Sequence, residues 1–110
     1  MPSNADSDTT TLGVLGVQET LSTISVAGNY QFKIDSANLV ADEEIIIEVF
    51  DKILTGGTSR LTDLGGTVNA QSSDIQLAIP LSVVFEMVVK ATQNNGTLRA
   101  FDWAVVDMAP

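Results

Sequence analysis

The side chains richest in possible chemistry form one acidic run. Asp42, Glu43 and Glu44 are consecutive, and Asp35 precedes them closely. Hard cations such as calcium take several carboxylate and carbonyl oxygens. The spacing matches no loop of the Asp-x-Asp-x-Asp-Gly type, so a solvated strand entrance is the stronger expectation. Glycosidases also work with paired carboxylates. No carboxylate here sits in an obvious pKa-raising context, and a domain this small leaves little room for a substrate cleft. The chain has no histidine and no cysteine. That removes the commonest general base, the commonest transition-metal ligand, disulfides and thiolate sites. Nothing arranges Ser, Thr and Lys as a Ser–Lys dyad. Gly56-Gly57 and Gly65-Gly66 lack the lysine and the strand–loop–helix setting of a phosphate loop. The expectation is a non-enzyme with no catalytic residue, no metal and no cofactor.

Two further features carry binding chemistry. Trp103 with Phe101 offers an aromatic platform for a sugar, although a tryptophan on a late strand more often belongs to a core or a subunit interface. Arg99 follows the Asn94-Asn95-Gly96 turn in a chain with few cations. It fits a surface ion pair of little worth. It fits equally an intersubunit pair with a neighbour's carboxylate, such as Asp102 or Glu86.

The elements that must position these residues are strands. With 110 residues and 45% hydrophobic content the chain suits one domain with a real core. Residues 1–10 are polar and acidic and read as a flexible arm, with the domain proper over 11–110. Leu12 to Val26 holds one or two strands. Tyr30 to Asp35 alternates strictly, with Tyr30, Phe32 and Ile34 facing in. Ser36 to Glu44 reads as a loop. Ile45 to Leu54 is a central strand, with Ile45, Ile47 and Val49 on one face and Ile46, Glu48 and Phe50 on the other. Thr55 to Thr58 turns into a weaker hairpin arm over 59–70, broken by Gly65-Gly66. A loop at 71–74 leads to a strand with Ile75, Leu77 and Ile79, ending at Pro80. Ser82 to Gln93 reads as one long strand. Asn94-Asn95-Gly96 is the strongest hairpin signal, returning the chain as Leu98 to Asp107. Seven or eight strands predict an all-β fold: a β-sandwich of jelly-roll or immunoglobulin-like kind.

The formal charge is −9, from 14 acidic and 5 basic residues. It disfavours nucleic acid and anionic membrane as partners. No apolar run approaches the length of a membrane helix. The first ten residues do not resemble a signal peptide, so synthesis in a cytoplasm is expected.

The segment Val89-Lys90-Ala91-Thr92-Gln93-Asn94-Asn95-Gly96-Thr97-Leu98-Arg99-Ala100-Phe101-Asp102-Trp103 resembles the hairpin text K-Q-T-x-G-T-x-R-x-F-x-W of small tailed-phage virion proteins. The stretch from Gly28 through Tyr30, Asp35 and Asn38-Leu39 to Asp42 is similar to their G-x-Y-x-x-x-x-D-x-x-N-L-x-x-G-D pattern. Ala41 stands where a glycine is usual, and Asn94-Asn95 replaces a shorter turn. The likeness covers residues 28–107, about three-quarters of the chain. It implies a virion structural protein made in the host cytoplasm, of the kind that acts as a capsid cement or decoration protein. The implied partners are the major capsid protein and further copies of itself, as a homotrimer on the capsid surface. The candidate interface residues are Ile46, Phe50, Val84 and Val88, or the opposite set of their strands, with Arg99, Phe101 and Trp103. A tail or neck role stays open, as does a receptor- or carbohydrate-binding module with Trp103 or Tyr30 as platform.

Overall fold

The structure is a computed structural model. It describes residues 3–40, 43–53, 56–69 and 77–108. Ala41, Asp42, Leu54, Thr55, the 71–74 loop and Ile75 lie outside the described residues. Among the described residues there are eight strands and no helix. They are β1 (Ser3–Thr10), β2 (Glu19–Ile24), β3 (Gly28–Asp35), β4 (Ile45–Lys52), β5 (Arg60–Val68), β6 (Leu77–Val83), β7 (Glu86–Gln93) and β8 (Phe101–Asp107).

They form two antiparallel four-stranded sheets, not a closed barrel. The first has the order β1-β8-β3-β6 and the second β2-β7-β4-β5. The inward sets come from strict alternation. Tyr30, Phe32 and Ile34 of β3 and Phe101, Trp103 and Val105 of β8 are buried, as are Ile45, Ile47 and Val49 of β4 and Met87, Val89 and Ala91 of β7. All twelve belong to one core cluster drawn from both sheets. Apolar residues two apart put a continuous stripe on one side of a strand, and burying that stripe drives the sheets together. Phe32 stacks on Trp103 with centroids 6.3 Å apart, while the Trp103 indole N–H donates to Thr10 Oγ1 at 2.9 Å.

Four expectations are corrected. Of residues 1–10, expected as a flexible or conditionally ordered arm, Ser3–Thr10 form β1 along β8, where backbone pairing substitutes for the apolar anchors the segment lacks, and Met1 and Pro2 lie outside the described residues. The stretch from Ser82 to Gln93 is two strands. The chain bends at Val84-Phe85 and crosses from the first sheet to the second. Val83 and Met87 keep the same inward phase across the corner, so period-2 alternation alone does not reveal it. Asn94-Asn95-Gly96 makes no hairpin, because β7 and β8 lie in different sheets. The turn does take a positive φ, +80° at Gly96, and the last strand begins at Phe101 instead of Leu98. Finally, β6 runs through Pro80 instead of ending there; it is an edge strand, where a missing N–H is tolerated.

The expected β4–β5 hairpin forms. β5 continues through Gly65-Gly66 with a bulge in which residues 62–64 face only Val49. Gly65 has φ +126°, and a Cβ there would stand 2.4 Å from the Ile47 carbonyl oxygen, so a side chain is excluded twice over.

Candidate functional site

The candidate interface residues separate into four places. Phe101 and Trp103 are core residues, 1% and 6% exposed, and present no outward surface. Tyr30 is also buried, and its hydroxyl donates to the Val26 carbonyl at 2.8 Å, holding the β2–β3 connection. Neither Trp103 nor Tyr30 presents an exposed ring face.

Arg99 finds its partner inside the chain. Its Nε donates to Glu43 Oε1 at 2.8 Å. The ion pair is with a carboxylate of its own chain, as the first expectation had it, but that carboxylate is buried while Arg99 itself is partly exposed. Glu43 is nearly fully buried and also accepts the backbone N–H groups of Val40 and Thr97, each at 2.8 Å. Gly96 lies against it, so close that a Cβ would stand 2.4 Å from Glu43 Cγ. Below this knot Gln93 is fully buried, and its amide donates to the carbonyls of Asn95 and Thr97. The Val40 N–H lowers the Glu43 pKa most. Burial opposes it, and Thr97 N–H and Arg99 add to the lowering. The middle carboxylate of the acidic run is therefore an internal tie between the β3–β4 and β7–β8 connections. Among the described residues no three or more metal-ligating side chains converge.

Phe50 and Val88 come together, and Ile46 lies on the same outward face beyond the Glu48–Lys90 row. β4 and β7 are the central strands of the second sheet, and their outward side chains alternate with the buried ones. Phe50 pairs in register with Val88 on β7 and with Leu61 on β5. Leu61 is 56% exposed and extends the row to the sheet edge. The β5 bulge displaces Leu61 from simple hairpin register, which hid it from sequence reading. Charged rows flank this apolar row. Lys52 and Glu86 pair at 4.0 Å on one side, and Glu48 stands opposite Lys90 on the other. The Lys90 ammonium lies 4.6 Å from the Phe50 ring centroid, a cation–π contact. Two lysines and two glutamates leave this patch neutral within an acidic protein. Val84 is not part of it; it lies at the β6–β7 corner, 59% exposed.

The end of the sheets that carries this corner also holds a cleft of about 700 Å³. Tyr30, Leu81, Met87 and Met108 line it, with Asp51 and Thr62 at the side. Asp51 and Thr62 are shared with a second groove of about 390 Å³ beside Ile53, Arg60 and Leu61. Comparison with protein-family models, with curated proteins and with solved structures matches nothing to this chain.

Proposed function

We propose that this chain is a non-enzymatic phage virion protein, a cement or decoration protein that binds the assembled head and stabilises it. The fold is proposed to be a jelly-roll sandwich, because the order β1-β8-β3-β6 over β2-β7-β4-β5 is that of two interlocked Greek keys. Jelly rolls serve viral capsids and lectins. The motif likeness over residues 28–107 favours the capsid side of that choice.

The observation that carries the reading is the outward face of the second sheet. Leu61, Phe50 and Val88 make one apolar row, with Ile46 two positions beyond Glu48, in a setting whose charges cancel. A neutral, half-apolar face can be buried against a protein lattice at low desolvation cost. A cement protein that prefers the assembled lattice to loose subunits shifts assembly by mass action. Many modest contacts on a symmetric shell then add up. The lectin alternative is weaker, since both aromatic platforms are buried.

Copy number per particle tests this, by quantitative mass spectrometry of purified virions of the encoding phage. A count near that of the capsid subunit is expected. A few to a few dozen copies move the protein to tail or neck, and absence from the particle ends the virion reading. Replacing Phe50 and Val88 together by aspartate is expected to abolish particle binding while leaving the circular dichroism spectrum unchanged.

A further inference from the structure

The molecule is polarised along its strands. At one end lie the β2–β3, β4–β5 and β6–β7 connections and the exit from β8. Among the described residues of these connections, 25–27, 53, 56–59, 84–85 and 108, none is charged. Five are large, apolar and exposed: Val26 at 70%, Ile53 at 73%, Val84 at 59%, Phe85 at 36% and Met108 at 44%. The nearest charges sit on strand ends: Lys52 and Glu86 pair, Arg60 stands opposite Asp51 beside the cleft, and Asp107 closes β8, two cations against three carboxylates.

The opposite end is acidic. Glu19 opens β2, Asp35 closes β3, Glu43 and Glu44 precede β4, and Asp102 lies at the start of β8. Arg99 is the one described cation in the connections there, and Glu43 takes it. Exposed apolar residues occur at this end too, Val14, Leu15, Val17 and Val40. Exposure alone therefore does not distinguish the ends; charge does, because with strand ends counted at both, the acidic end sets five carboxylates against one cation and the other end three against two.

We infer that the uncharged end is a self-association surface, covered by the same end of a second copy of this chain. Two copies that each carry −9 repel at their acidic ends. Contact through the uncharged ends buries apolar surface without desolvating a charge in the connections, and holds the acidic ends farthest apart. The end also supplies both parts of a self-complementary contact. Ile53, Val84 and Phe85 stand out from it, and the Met87–Met108 cleft lies beside them. This surface adjoins the outward face of the second sheet at the groove that Ile53 and Leu61 both line, while Phe50, Val88 and Ile46 lie outside that groove.

Sedimentation velocity of the purified full chain over a range of concentrations tests the inference. The expected result is an oligomer that strengthens as salt is added, since salt screens the repulsion but not the apolar contact. Val26→Asp and Val84→Asp, both at exposed positions, are expected to give monomer with an unchanged circular dichroism spectrum. Val14→Asp, at the acidic end, is expected to leave the oligomer intact. A monomer at every concentration and salt level overturns the inference. So does an oligomer that survives both tip variants, or one lost equally in Val14→Asp. Binding of the tip to neutral phosphatidylcholine vesicles without self-association also overturns it. None of these outcomes depends on virion copy number, so this inference and the capsid reading fail independently.

Discussion

At the scale of single residues, Glu43 illustrates how an apparent surface feature becomes structural. In sequence it is one of three consecutive acids. In the fold its neighbour Glu44 is exposed, while Glu43 gathers two backbone donors and a guanidinium. Its folded pKa lies below the unfolded one, so between the two values the unfolded chain holds more protons and stability rises with pH. The contribution is complete above the unfolded carboxylate pKa and disappears as pH falls through the lowered folded value. Urea midpoints measured from neutral pH into the acid range are expected to fall, and Glu43→Gln is expected to flatten that dependence while lowering the neutral midpoint. Gly65 is the second residue with a singular role. Gly65→Ala places a methyl against the Ile47 carbonyl at positive φ, and the strained backbone costs about 1–3 kcal/mol. Urea unfolding reads the loss directly, and an unchanged midpoint would remove the bulge geometry described for β5.

At the scale of elements, the outer strands are the informative ones. All four edges carry an interruption. β1 shifts register between Asn4 and Asp6, β2 between Thr20 and Ser22, β5 has the Gly65 bulge and β6 has Pro80. Such features blunt edge-to-edge pairing, which is a reason to look for self-association at the sheet ends instead. β1 is the most weakly held strand. None of its described side chains enters the apolar core, and it is held by backbone pairing with β8 and by polar side-chain contacts to Ser22, Asp102 and Trp103. Its amides are expected to exchange with solvent faster than those of β3, which pairs on both sides. Hydrogen exchange resolved by residue checks this; equal protection of β1 and β3 would show an anchor beyond those contacts. β3 and β4 were legible because their alternation is strict and both are interior strands. The β6–β7 corner was not, because two inward phases joined without a break. The false hairpin at Asn94-Asn95-Gly96 has a related cause. A turn signal reports local φ, and only long-range pairing decides whether the flanking strands share a sheet.

At the scale of the whole molecule, composition foretold an acidic protein and alternation an all-β one, but neither foretold where the charge would lie. The site was only partly legible for the same reason. Ile46, Phe50 and Val88 share a face by period two, whereas Leu61 and the internal engagement of Arg99 depend on contacts distant in sequence. The charge distribution leads to a further expectation. Asp35 and Asp102 are direct cross-strand partners on β3 and β8, within the acidic end. Like charges directly opposite destabilise a sheet. Asp35 accepts the Ala37 N–H and Asp102 accepts the Thr9 hydroxyl, and an asparagine oxygen can accept both bonds. Asp35→Asn and Asp102→Asn therefore remove repulsion while keeping the local geometry. Each is expected to stabilise the fold at low ionic strength by roughly 0.2–1 kcal/mol, with the gain shrinking as salt is added. The double variant is expected to gain less than the sum of the two, because either change alone removes the pairwise term. Additive gains in the double-mutant cycle would mean that each carboxylate responds to the overall field of the acidic end, and that the cross-strand pair has no energy of its own.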